Sequence, residues 1–326
     1  AGNEGSAITD DTDATVTIDT APPEVIIESF KGDNYNDAFA TIDDSITLLF
    51  ETNENIIEPT VTFGERGTGV TRLGDNNWKA TYKVKDPDDS VISWELIGYS
   101  IKFQDLAGND GSMITDDTGD IVTIDTVKPT IMDVTADVSN GDYTIGEEID
   151  IKVTFQEKVI VDTESGTPRI ILDLSGVHVE VEYTSGSNTE TLTFKYTVGE
   201  DDNTAPGEFL NYVNTASLHL SGGTITDAAG NDASLTLPGP DSFEREIIID
   251  TIQPRVISVT TIKNDNTYRE GTIIPIKVTF QEKVIVNTES GTPFITLNLS
   301  GANIPVSYSN KVGTNSLLFK YTVGGD

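Results

Sequence analysis

The side chains best suited to chemistry in this sequence are oxygen donors that recur with an internal repeat. Asp105 and Asn109 belong to the turn DLAGN, and Asp227 and Asn231 to the turn DAAGN. Each turn is followed by a Val/Ile strand that ends in Asp-Thr, at Asp125 and at Asp250, and a third such strand ends at Asp19. Glu54, Glu157 and Glu282 each follow an alternating apolar run of the Ile-x-Leu-x-Phe or Val-x-Phe kind. Several carboxylates and an amide oxygen arriving from separate segments are the donor set of Ca²⁺, which takes about six to eight oxygens in loose geometry.

The elements around these residues must bring them together. In a sandwich with an odd number of strands the two termini lie at opposite poles, so copies stack end to end. The turn before the last strand and the end of the second strand then share the pole that receives the preceding unit. Three acidic elements thereby meet at each junction. The expected sets are Asp19, Glu54, Asp105 and Asn109; Asp125, Glu157, Asp227 and Asn231; and Asp250 with Glu282. Carboxylates crowded in this way repel one another without a cation, so calcium is expected to lock the angle between units.

The chain divides accordingly. Residues 1–20 read as the last strand of a preceding unit, placing the true N-terminus upstream, and residues 21–126 as repeat A. Residues 127–251 are repeat B, and residues 252–326 are repeat C, cut short. Period-two alternation marks the strands, as in Trp78-Ala80-Tyr82-Val84 and Leu192-Phe194-Tyr196-Val198, with Gly/Asn/Asp turns between them. VTFQEKVIVDTESGTP at Val153–Pro168 returns as VTFQEKVIVNTESGTP at Val278–Pro293. Repeat C has no counterpart of the segment of B beyond Asp201, so C is expected to be unable to close its sandwich alone. The fold class is all-β: tandem immunoglobulin-like antiparallel β-sandwiches in an elongated array.

Composition narrows the function. Among 326 residues, 20 Lys and Arg face 54 Asp and Glu, a formal charge of −34. Such a surface repels nucleic acid and anionic membranes and attracts cations. With no cysteine, disulfides, thiolate nucleophiles and Cys-ligated zinc are excluded. No apolar run reaches the length of a membrane span. His178 and His219 sit in alternating strands with no nucleophile beside them, and no phosphate loop or HExxH motif occurs. Trp78 and Trp94 read as core, and Lys31-Gly32-Asp33 as a turn. Asp10–Asp11, Asp116–Asp117 and Glu200–Asp202 read as solvated loops. The chain is therefore expected not to be an enzyme.

The VTF-x-E strand end, the late D-x-AGN turn and the VTIDTxxP exit resemble the bacterial Ig-like repeats of large surface adhesins, the extender arrays of RTX-type and biofilm proteins. The resemblance spans nearly the whole chain. It implies a cell-surface or secreted location, calcium at the linkers and a stalk that presents a distal module. Partners would be neighbouring repeats and, through distal domains, host or matrix glycans or proteins. A different class of protein shares these features: a carbohydrate-binding, non-catalytic appendage of a secreted polysaccharide-active enzyme.

Overall fold

Most of the segments that alternate apolar and polar residues form strands, because period two places one side of each strand on a core. The computed structural model describes residues 17–85, 94–116, 119, 121–243 and 245–324. Asp10, Asp11 and Asp117 lie outside them. The architecture is all-β with antiparallel sheets of the immunoglobulin-like sandwich kind. The single helical element among the described residues is a 3₁₀ turn at Pro240–Ser242. No helix among them is long and apolar enough to cross a membrane.

In repeat A, strands Val25–Gly32, Ser45–Thr52, Asn77–Lys83 and Gly69–Arg72 form one sheet in that order. A second sheet runs Ile114–Thr115, Tyr99–Lys102, Thr60–Phe63, Arg66–Gly67. Ile46, Leu48 and Phe50 from the first meet Val61, Phe63 and Ile101 from the second in one buried cluster. The exit strand Val122–Ile124 pairs in parallel with Phe39–Ala40 and antiparallel with Glu95–Ile97.

Repeat B follows the same plan around a longer strand, Glu148–Asp162. Its first half pairs with Ile131–Ala136 and Thr189–Thr197. Its last residues, Ile160–Asp162, pair with Thr224–Thr226. Between Thr154 and Val159 the register breaks, so the strand passes from one set of partners to another. The hydroxyl of Tyr196 donates to Asp202 at 2.7 Å, and the Gly199 amide donates to the same oxygen at 2.8 Å. Asp202 is thus a structural cap, where the sequence alone suggested a solvated loop.

Asp250–Asp326 forms its own compact body. Its five strands lie in the order Val256–Thr261, Ile273–Phe280, Ser316–Thr322, Ala302–Val312, Phe294–Leu299. The counterpart of the 15-residue strand of B stops at Phe280. The reason is local: among the described residues nothing plays the part of Thr224–Thr226, and an unpartnered strand edge gives up its hydrogen bonds to water. Val134 is fully buried in B, whereas its counterpart Val259 is 60% exposed. Ile151, Val153 and Phe155 should therefore exchange their amide protons more slowly than Ile276, Val278 and Phe280. Partial opening of an uncovered sheet needs less free energy than opening a closed sandwich. Equal protection in a hydrogen-exchange experiment would mean that C is closed by contacts the sheet order does not reveal.

Candidate metal centre

The turn at Asp227 is built by its own side chain. Asp227 Oδ1 accepts the amides of Ala229 at 2.8 Å and Asn231 at 2.9 Å, and Oδ2 accepts Asn231 Nδ2 at 2.7 Å. Asx turns of this kind are what Asp and Asn do locally. Gly230 occupies the left-handed region at φ 88°, where a side chain is strained. Its flat face also lets the Tyr35 ring approach. The turn at Asp105 repeats the pattern: Oδ1 accepts the Asn109 amide at 2.8 Å and Oδ2 accepts Asn109 Nδ2 at 2.7 Å. Gly108, at φ 95°, takes the place of Gly230.

Each turn then grips the exit of the preceding segment. Asn231 Nδ2 donates to the Asp125 carbonyl at 3.0 Å, and Asn109 Nδ2 donates to the Asp19 carbonyl at 3.2 Å. The three exit aspartates share one local geometry. Asp19, Asp125 and Asp250 each accept, on Oδ1, the amide two residues ahead, at 3.0, 3.1 and 3.1 Å.

Carboxylate oxygens of Asp125, Glu157 and Asp227 lie within 4.8 Å of one another, and those of Asp19, Glu54 and Asp105 do the same. Asp125 and Asp227 are each 1% exposed and Asp105 is 2%. Burial raises the Asp125 carboxyl to about 6, against the Val127 amide, with the charge of Asp227 adding to the rise. Glu157 is raised first by burial and then by Asp125 and Asp227. Glu54 is raised by loss of solvent, Asp19 and Asp105. Asp105 shows the opposite balance: burial pushes it up, but hydrogen bonds from Asn109, Gly108 and Ala107 outweigh that and hold it below its ordinary value. Three clustered carboxylates with two aspartates buried at one junction fit a hard divalent cation in their donor chemistry.

The placement of individual residues departs from the sequence reading in several respects. Glu157 does not end a strand; it lies inside Glu148–Asp162, at the register break that turns it toward Asp125 and Asp227. Asn231 presents its amide nitrogen to Asp227 and to the Asp125 carbonyl, while its oxygen accepts from the Thr41 hydroxyl. Asn109 likewise turns its nitrogen to Asp105. Both asparagines therefore position the carboxylates. Asp250 is exposed and Glu282 half-buried, with Glu282 Oε1 lacking a hydrogen-bond partner. That pair gathers no third carboxylate among the described residues.

Trp94 is not core. It is 54% exposed and stands edge-on to Phe39 at 5.6 Å. Trp78, at 4% exposure, is core. Two further residues at the A/B junction had no signal in the sequence. Asn34 Nδ2 donates to the Ala229 carbonyl at 2.8 Å, and the Tyr35 hydroxyl donates to the Ala228 carbonyl at 3.2 Å. They belong to a Gly/Asp/Asn stretch of repeat A that reads in sequence only as a turn.

No protein-family model matches the chain, and no curated protein resembles it significantly in sequence. Among solved structures it is similar to FdeC, an Escherichia coli adhesin, at 10% identity and a TM-score of 0.34, over 94% of this chain and 91% of that one. It is similar to the extracellular region of plexin A4 at 11% identity and a TM-score of 0.22, over 91% of this chain and 20% of that one. A DUF4785-family protein of Legionella pneumophila aligns at 9% identity and a TM-score of 0.24, over 67% of this chain and 56% of that one. Likeness at this level assigns no function.

Proposed function

We propose that this chain is a non-catalytic segment of a bacterial surface or secreted adhesin, a stalk of Ig-like repeats stiffened by calcium at the junction of A and B. One observation carries the proposal: Asp125, Glu157 and Asp227 bring their oxygens within 4.8 Å of one another from an exit segment, the break in a long strand and a turn. A cation bound there would tie the end of repeat A to two separate elements of repeat B. The hydrogen bonds from Asn34 and Tyr35 to the DAAGN turn support the same role, since they join A to B directly. The adhesin assignment draws on the sequence resemblance to extender repeats. An extracellular setting supplies calcium at the level such modules need, with Kd on the order of 10⁻⁴–10⁻³ M.

The absence of native cysteine makes spin labelling straightforward. Labels at Leu73→Cys and His178→Cys, both exposed positions, report the distance between A and B. Calcium should narrow the distance distribution of the wild type. Asp227→Ala should leave it broad while both repeats stay folded. Equal widths with calcium and with chelator, or a variant matching wild type in calcium, would count against a calcium-stiffened junction.

A further inference from the structure

The turns at Asp105 and Asp227 are copies of one another, yet the strands beside them are not spaced alike. A bridge closes each turn, Gln104 to Asp110 in A and Thr226 to Asp232 in B. Just beyond it, the Gly111 amide donates to the Phe103 carbonyl at 3.1 Å, and the Ala233 amide to the Ile225 carbonyl at 2.9 Å. In B the neighbouring strand keeps an unbroken register: Ile160 faces Thr226, Val161 faces Ile225 and Asp162 faces Thr224. In A the Ile57 amide donates to the Gln104 carbonyl, and Thr60 faces Lys102. Glu58 and Pro59 therefore both stand opposite Phe103, where B has Val161 alone. One extra residue of this kind is a bulge, and bulges re-aim side chains beside functional sites. Pro59 is buried and Glu58 exposed.

Two substitutions complete the difference. A has Phe103 where B has Ile225, and Gly111 where B has Ala233. The Phe103 ring lies so close to Gly111 that a Cβ there would come within 2.1 Å of it. The result is a cleft of about 400 Å³ in repeat A, inside the range of about 300–1,000 Å³ usual for binding pockets. Ile57 and Met113, 46% and 52% exposed, flank Phe103. Their counterparts in B, Ile160 and Leu235, are half-buried, and Leu235 packs on the core. Glu58, Asp110 and Lys102 also line the cleft, and none of the three makes an ion pair among the described residues. Gln104 gives its amide nitrogen to the Gly108 carbonyl at 2.9 Å and to Asp110 Oδ1 at 3.1 Å, which leaves its oxygen as an acceptor. The hydrogen bonds that join A to the turn of B reach Ala228, Ala229 and Asn231. Among the described residues they touch none of the counterparts of this cleft, so stacking of repeats does not account for it.

We infer that this cleft of repeat A docks a peptide segment of a partner protein in which one aliphatic side chain is flanked by lysine or arginine. The aliphatic group would rest against the edge of Phe103 between Ile57 and Met113, an apolar anchor in a pocket. Its basic neighbours would meet Glu58 and Asp110, and Lys102 would donate to a main-chain carbonyl of the peptide. Charge selects the basic occupant over an acidic one, because a chain of formal charge −34 draws cationic ligands to its clefts and turns anionic ones away. A sugar is poorly matched: Phe103 is only 7% exposed, so no ring face is open for stacking. None of these residues belongs to the carboxylate set at the A/B junction, so this binding and the calcium reading fail or stand separately.

The chain has two methionines, Met113 and Met132. Only Met113 lines the cleft, so methyl-labelled methionine supplies a probe and a control in one NMR spectrum of the whole chain. The blocked peptide Gly-Lys-Leu-Lys-Gly should shift the Met113 methyl resonance saturably and leave that of Met132 in place. Gly-Lys-Gly-Lys-Gly, which lacks the anchor, and Gly-Glu-Leu-Glu-Gly, which reverses the charge, should each bind at least about tenfold more weakly. Glu58→Gln changes an exposed side chain and should weaken binding by about threefold or more. Gly111→Ala should displace the Phe103 ring and abolish binding. A Met113 resonance that millimolar Gly-Lys-Leu-Lys-Gly leaves unmoved overturns the inference. So does equal binding of the anchorless or acidic peptide, or a Met113 shift produced by a neutral oligosaccharide and not by the basic peptide.

Discussion

Calcium at ten times its Kd should stabilise the body formed by residues 17–249 by about 1.4 kcal/mol relative to chelator, the linkage value for a ligand that binds only the folded state. The pH dependence gives the test its sharpness. In metal-free protein Asp125 is raised from 3.8 to about 6 by burial and by Asp227. A raised carboxyl favours the folded state below its ordinary value, and that contribution is lost as pH climbs through about 6. Metal-free stability should therefore fall between about pH 4 and pH 6, while the calcium-bound form gains over the same window as its ligands deprotonate. The two melting curves should nearly coincide at pH 5 and separate at pH 7.5. Asp125→Asn should raise metal-free stability at pH 7.5 by about 1–2 kcal/mol, allowing for partial solvent screening, and should abolish the calcium response. Coincident curves at pH 7.5 would remove calcium from the account of this junction.

Phe194→Ala should be far more damaging than Phe319→Ala, although the two phenylalanines occupy the same place in repeats B and C. Each meets a tyrosine edge-on, Tyr183 at 6.0 Å and Tyr308 at 6.2 Å. Each is nearly buried, at 0% and 3% exposure. What differs is what surrounds them. Phe194 belongs to a cluster that includes Leu210, Tyr212, Leu218, Ile225 and Ile249, all from the segment that completes the sandwich. Phe319 belongs to a smaller cluster with half-buried neighbours. Removing a large side chain from a closed core leaves a cavity and costs about 3–5 kcal/mol, whereas an open face relaxes or admits water. Local stabilities read by hydrogen exchange on the whole chain should separate the two effects by at least about 1 kcal/mol. Equal losses would show that C is as closed as B.

Much of this molecule is written in short-range pattern. Alternation over four to eight residues decides which side chains face a core, and Ile46, Leu48, Phe50 and Trp78 lie buried where their spacing puts them. The turns at Asp105 and Asp227 are equally local, because Asp and Asn fold the backbone around their own side chains within five residues. The internal repeat makes the exit aspartates visible as a class, and all three adopt the same turn. These features need no knowledge of distant neighbours.

What only the tertiary structure decided depends on register and orientation between segments far apart in the chain. Glu157 reaches its site because a strand changes partners in mid-course, and the sequence around it reads as one continuous alternation. Repeat C carries the same residues without that change, because a strand cannot switch to a partner that is not beside it. Asn231 and Asn109 could have offered oxygen or nitrogen to the carboxylates; the carbonyls of Asp125 and Asp19, brought in from the preceding segment, fix the nitrogen inward. Trp94 stands outside the core, edge-on to Phe39, a contact made between residues 55 positions apart. Side-chain type limits which partners a group can take, and the assembled backbone selects among them.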